Sequence, residues 1–187
     1  MSLSLLAPPA EEPVALDDAK GWLKLDQDTD DDLVRALIVA ARLQVEALTG
    51  RVLVTQNWRL TLDCWPPGGL VSVPLAPVAS LAAAAVIAGD GTAIAIDPAT
   101  VTLDAASLPP RLLALDRPAS RGFAGIRFDL VAGYGGAADV PAPLVEAMRL
   151  MIGHWYGHRD ELGTPGAEPA IPRAASALLA PYRLPRL

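Results

Sequence analysis

Between Asp31 and Thr49 apolar residues recur with the period of a helix. On a helical wheel Leu33, Val34, Leu37, Ile38, Ala41, Val45 and Leu48 cover a broad face, and Arg35, Arg42, Glu46 and Thr49 form a narrow stripe. The pattern predicts a helix over about residues 30–49, with the Thr29 hydroxyl as N-cap, Asp30, Asp31 and Asp32 in the positive first turn, and Gly50 as the stop. A helix so apolar has to be packed on more than one side, by its own domain or by a neighbouring copy. A shorter helix over about 16–25 precedes it, with Asp17 and Asp18 near its start.

From Val52 the period changes to two. Trp58, Leu60 and Leu62 alternate with Arg59, Thr61 and Asp63, as a half-buried strand requires, and Pro66-Pro-Gly-Gly69 ends the run. Further extended pieces are expected at 70–73, 81–88, 92–96, 111–115 and 126–131, with Gly89-Asp-Gly91 as a hairpin turn. No connection is long enough for a crossover helix, so the pairing should be antiparallel.

Helical periodicity returns over about 141–160. Pro141 and Pro143 fit a first turn, and Leu144, Met148, Met151, Ile152 and Trp155 make one apolar stripe. After Gly163-Thr-Pro-Gly166 come a short apolar segment, 174–180, and a cationic tail, 181–187, unable to stabilise itself. The expected fold class is α+β: a helical bundle from the N-terminal helices and the later helix, with an antiparallel β insertion at about 52–132 between them. One domain is expected to residue 162, with residues 163–187 as an extension. There is no internal repeat.

Composition narrows the classes. The chain has 187 residues, 52% hydrophobic and 19% charged, and so little charge implies apolar surface turned toward another subunit. A net charge of -6 argues against sequence-independent gripping of a phosphate backbone, which needs clustered Lys and Arg. The single cysteine, Cys64, can form no internal disulfide and is expected to be packing. The N-terminus lacks a basic region and is interrupted by Pro8 and Pro9, so it does not read as a signal peptide. No run of about 18 apolar residues suggests a membrane span, and the expectation is a soluble protein made in the cytoplasm.

Candidate chemistry is thin. Gly133-Tyr-Gly-Gly-Ala-Ala138 satisfies the spacing of a dinucleotide loop, but Asp139-Val-Pro-Ala-Pro143 delays the helix and no strand follows, so it reads as a turn. His154 and His158 share a helix flank, yet Trp155 stands where a zinc protease has its Glu and no third ligand is apparent; packing or capping is the expectation. Asp26-Gln-Asp-Thr-Asp30 imitates half an EF-hand, but the sixth position is Asp31 and the twelfth Leu37. There is no Gly-x-Ser-x-Gly elbow. The expectation is no catalytic residue, no metal and no cofactor.

Several short runs together resemble one family: Pro13-Val-Ala-Leu-Asp-Asp-Ala-Lys20 with Leu23-Lys-Leu-Asp26; Asp31-Asp-Leu33; Ala40-Ala-Arg42 to Leu48-Thr-Gly-Arg51; Thr55-Gln-Asn-Trp-Arg-Leu60; Val131-Ala-Gly-Tyr-Gly135; Val140-Pro-Ala-Pro-Leu144; and His154-Trp-Tyr156 with Arg159. In order and spacing they resemble the head-to-tail connector (adaptor) proteins of tailed bacteriophages and phage-derived gene transfer agents. Residues 70–121 contribute little to the likeness. The resemblance implies a non-enzymatic virion protein at the head-tail interface. Copies would form a dodecameric ring under the portal protein, continue the DNA channel without specific binding, and dock the next connector, stopper or tail protein.

The same resemblance implies a C-terminal segment that reaches the portal, here Tyr182, Arg183, Leu184, Arg186 and Leu187. Leu37, Ile38 and Val45 are the expected subunit-packing residues on the long helix. Gly153 and Gly157, one turn apart, are expected to allow close backbone approach to a neighbour. Two other readings stay open: another phage morphogenesis protein, such as a tail-completion or terminator subunit, and a small enzyme.

Overall fold

The computed structural model describes residues 1–115, 123–158 and 171–185. The chain divides into two compact units. One comprises Met1–Ala10, Thr55–Tyr134 and the described residues from Leu184; the other comprises Glu11–Val54 and Gly135–Arg183. The fold is α+β, with all strands paired antiparallel.

The first unit is built from strands. In chain order they are β1 (Ser2–Ala7), β2 (Gln56–Leu62), β3 (Leu70–Ser72), β4 (Val78–Ala88), β5 (Ala93–Ile96), β6 (Val101–Asp104), β7 (Arg111–Ala114) and β8 (Phe123–Ala132). They form a five-stranded sheet in the order β1-β2-β8-β4-β5 and a three-stranded sheet in the order β3-β7-β6. On β2 the alternation is met in part: Leu60 and Leu62 are buried as expected, while Trp58, Arg59 and Thr61 are all half-buried. Phe128 and Leu130 of β8 are buried too, and Trp65 sets its ring edge-on to Phe128 at 6.0 Å.

Register in the larger sheet is pinned by chemistry as well as by pattern. Arg59 stands opposite Asp129, and its Nε and a second guanidinium nitrogen donate to the two carboxylate oxygens at 2.7 Å each. Gly125 has φ 153°, and a Cβ there would lie 2.8 Å from the Leu62 carbonyl oxygen, so only glycine fits. The hairpin at Gly89-Asp-Gly91 forms as expected, with Gly91 at φ 88° and the Thr92 amide donating to Asp90.

The second unit is helical: α1 (Leu16–Leu23), α2 (Asp31–Thr49), α3 (Ala142–Gly157) and α4 (Arg173–Leu179). α3 packs against the other three. Its Leu144, Ala147, Met148, Met151 and Ile152 are buried, as are Val34, Ala41 and Val45 of α2. α2 ends as expected at Gly50, φ 70°, whose amide donates to the Glu46 carbonyl. Its start differs: Asp30, not Thr29, is the N-cap, and the Asp30 carboxylate accepts from the Tyr156 hydroxyl instead of capping α2.

Three elements go beyond the sequence expectation. β1 comes from the Ser-Leu-Ser-Leu alternation of the first residues, and β6 from residues 101–104. α4 arises in the segment 174–180, expected only as apolar chain, because Ala175 and Leu179 bury completely.

Candidate functional site

The sequence motifs that imitate chemistry are each occupied by the chain itself. In the glycine loop the Gly136 amide donates to Asp139 Oδ2 at 2.9 Å and the Ala137 amide to Glu11 Oε1 at 2.8 Å. Those amides are what a phosphate would need, and two carboxylates of the protein hold them. A Cβ at Gly135, φ 132°, would collide with Asp139 Oδ2, so the glycine is there for close approach of that carboxylate.

The acidic run before α2 is likewise tied up. Lys20 Nζ lies 2.5 Å from Asp28 Oδ1 and 2.8 Å from Asp31 Oδ1, and Arg35 reaches Asp32 at 2.9 Å. The hydrogen bond to Asp28, then that to Asp31, holds the Lys20 ammonium above its ordinary value. The same bond to Lys20 holds the Asp28 carboxyl below its ordinary value. His154 and His158 stack with ring centroids 4.4 Å apart, and His158 Nδ1 lies 2.8 Å from the His154 carbonyl oxygen near the helix end. Among the described residues no three His, Cys, Asp or Glu side chains gather as a metal site. Cys64 corrects the expectation of packing: it is exposed, because β2 ends at Leu62 and the chain has already left the sheet.

What the helical unit offers instead is surface. On α2 the residues Leu33, Ala36, Val39, Ala40, Leu43 and Ala47 are all exposed, and at 100° per residue they fall within about one third of the helix circumference. Leu43 is 52% exposed. Of the polar stripe, Arg35 stays exposed, whereas Arg42 and Thr49 are buried and Glu46 is half-buried. Arg42 is 5% exposed; its Nε donates to Glu12 at 2.8 Å and a second nitrogen to Glu46 at 3.1 Å. Burial pushes the Arg42 guanidinium down, but the bond to Glu12 and the charge of Glu46 outweigh it, so the group stays above its ordinary value. Glu46 also accepts from the Leu53 amide, and the Thr49 hydroxyl donates to the Val45 carbonyl. Beside the exposed face an open groove of about 1090 Å³ is lined by Val14, Ile38, Val39, Val140, Val145 and Leu178, with Arg35 and Arg149 among its charged residues.

Most of the residues expected to pack between subunits have neighbours within the chain itself. Leu37, Ile38 and Val45 lie inside the chain's own helical unit, at 8%, 3% and 0% exposure. The polar groups beside them are satisfied within the unit: Arg42 by Glu12 and Glu46, and Thr49 by the Val45 carbonyl and the Arg51 amide. Gly153 makes room for the chain's own Trp22, whose Nε1 would lie 3.3 Å from a Cβ at that position, whereas a Cβ at Gly157 would meet nothing within 4 Å. In the C-terminal segment Tyr182 and Leu184 are half-buried and Arg183 exposed, and the Tyr182 carbonyl accepts from Arg51 Nε at 2.9 Å. Arg186 and Leu187 lie outside the described residues. The exposed α2 face could have been found in the sequence: Ala36, Ala40 and Ala47 continue the line of Leu33 and Leu43.

No family model and no curated protein matches the sequence. Solved structures do. A chain in the neck of an empty gene transfer agent (GTA) particle, computed with C6 symmetry, is 24% identical with a TM-score of 0.81. A chain in the virion of a native GTA particle is 24% identical with a TM-score of 0.82. A chain in the neck of a native GTA particle, computed with C12 symmetry, is 26% identical with a TM-score of 0.75. Each superposition covers 100% of this chain and 97% of the other. Over its whole length, therefore, the chain has the fold of a protein from gene transfer agent particles, in agreement with the resemblance read from its sequence.

Proposed function

We propose that this chain is a structural protein of the neck of a phage-like or gene transfer agent particle, a head-to-tail connector and not an enzyme. Copies form a ring, twelve in number, under the portal protein. The ring continues the DNA channel and docks the next connector, stopper or tail protein. The observation that carries the reading is the whole-length likeness to chains of GTA necks. The exposed apolar face of α2 supports it, since a contiguous apolar patch on a protein surface commonly marks a contact with another chain. A net charge of -6 suits a channel through which DNA slides without being gripped.

In this reading the segment from Tyr182, through Arg183 and Leu184 to Arg186 and Leu187, docks on the portal. Tyr182 and Leu184 serve as anchors and the arginines as charge partners. The test is to mix the purified chain with the portal protein encoded in the same gene cluster and to image the product by electron microscopy. The expected result is a twelve-membered ring stacked on the portal, lost when residues 182–187 are deleted. Failure to bind a properly assembled portal would overturn the connector role and favour a tail-completion or terminator subunit.

A further inference from the structure

Among the described residues the five-stranded sheet ends in two bare edges. β1 closes one side and β5 the other, and β5 covers only Ala84–Ile87 of β4, so residues 78–83 extend the second edge. Natural sheets protect such edges with lysine, proline or inward charges. Here those residues are missing, and only a bulge between Leu5 and Ala7 of β1, irregularities at 78–83 and the four-residue length of β5 interrupt the edges: β1 reads Ser-Leu-Ser-Leu-Leu-Ala, β5 reads Ala-Ile-Ala-Ile, and residues 78–83 read Val-Ala-Ser-Leu-Ala-Ala. Neither edge carries a charged side chain, and Leu5, Leu6 and Ile94 are exposed at 41%, 46% and 46%. The charges of this sheet, Arg59, Arg127 and Asp129, sit on the interior strands β2 and β8 instead.

We infer that β1 of one copy pairs in parallel with β5 of the next, so that the sheets of neighbouring subunits join edge to edge around the ring. This rests on the ring proposed above, and strand direction selects the pairing within it. All four pairings in the sheet are antiparallel, so across five strands β1 and β5 run in the same sense. Rotation about a ring axis carries one copy onto the next without reversing any strand's sense along that axis, so β1 meets β5 in parallel. Pairing of β1 with its own counterpart would be antiparallel and needs a two-fold axis, which a purely cyclic ring lacks.

The occupant of each edge is therefore a second copy of this chain, supplying the backbone amides and carbonyls that an outermost strand lacks on its free side. The dimensions are reasonable for a ring. Five strands at about 4.8 Å span about 24 Å, so twelve copies close a circumference of about 290 Å, a circle about 90 Å across before strand tilt widens it.

Cross-linking tests the pairing. In a Cys64→Ser background, Ser4→Cys is combined in turn with Ala93→Cys, Ile94→Cys and Ala95→Cys, so that neighbouring registers are sampled. The chain is assembled on the portal and oxidised, and the products are separated without reductant. Paired edge strands bring Cα atoms to about 5 Å, within disulfide reach. At least one combination is expected to give a ladder of covalent oligomers up to twelve, and no single-cysteine chain should pass dimer. A second variant, Leu5→Lys with Ile94→Lys, is expected to reduce ring yield at least tenfold while its circular dichroism stays that of the parent. Rings visible by microscopy with no ladder from any pair, or full ring yield from the lysine variant, would overturn the edge pairing and leave the connector reading standing. Absence of rings from the unaltered chain would overturn both.

Discussion

The strand β2 and the helix α2 both bury apolar side chains, Leu60 and Leu62 on the one and Val34, Leu37, Ile38, Ala41 and Val45 on the other, but α2 also carries a second apolar face that its own unit leaves uncovered. On β2 the polar residue Asn57 is outside and Leu60 and Leu62 are inside, and the strand's faces are settled within one chain. On α2 the polar positions Arg42 and Thr49 are buried, while Leu33, Val39 and Leu43 stand in water. β2 needs no second chain to cover Leu60 and Leu62. A helix that hides an arginine and exposes leucines offers an apolar outer face to a neighbour in the proposed ring.

The largest effect should come from breaking the self-sufficient side of this comparison. Phe128→Ala removes a ring that is 0% exposed, and a cavity of that kind costs about 3–5 kcal/mol. The denaturant midpoint of the isolated chain should fall accordingly. Leu43→Ala on the exposed face should change stability by no more than about 0.5 kcal/mol while lowering the yield of rings on the portal. Equal stability losses from the two changes would mean that the α2 face is part of the chain's own core.

The buried polar cluster sharpens the contrast next. Arg42→Met leaves Glu12 and Glu46 facing an apolar group, and removing one partner of a buried ion pair costs about 3 kcal/mol or more. The triple change Arg42→Met, Glu12→Leu, Glu46→Gln should recover most of that loss in thermal unfolding, because no charge is then left unpaired and Gln keeps an acceptor for the Leu53 amide. A single Arg42→Met variant with parental stability would show that the burial of Arg42 has no energetic consequence.

Glycines give a smaller effect. Gly135→Ala drives a Cβ into Asp139 Oδ2 in a backbone conformation of φ 132°, for an expected loss of about 1–3 kcal/mol. Gly157→Ala meets nothing within 4 Å and should stabilise α3 by up to about 1 kcal/mol. Calorimetric melting of the two variants should therefore move in opposite directions.

Sequence periodicity is enough to read α2, α3 and most of the larger sheet, because each carries a full stretch of residues at one period. The class follows from it, and the antiparallel pairing follows from the shortness of the connections. The polarity of α2 does not, since a wheel shows which residues share a side and not which side faces in; that depends on Glu12, thirty residues from Arg42 in the chain. β1 escapes the same reading although Ser2-Leu3-Ser4-Leu5 alternates, because only pairing with Trp58 to Thr61 turns so short a run into a strand. Gly153 is legible as a place of close approach but not as the seat of Trp22, a contact between helices that no local pattern encodes.

The smallest effect belongs to the entrance of α2, where Lys20 holds Asp28 and Asp31. Lys20 lies above its ordinary value of 10.5, and Asp28 lies below its ordinary value of 3.8. A raised lysine contributes stability that is full below 10.5 and lost as pH rises through its folded value. A lowered aspartate contributes stability that is full above 3.8 and lost as pH falls through its folded value. The contact is thus silent across the whole neutral range and titrates only at the two extremes. Lys20→Met should lower stability by a constant small amount between about pH 5 and 9, in unfolding curves at each pH, and should flatten the parental decline above the ordinary lysine value. Because Asp28 is open to solvent, raised salt should shrink the difference between variant and parent. A difference that instead changed sign near neutral pH would show that the Lys20 contact is not what the substitution reports.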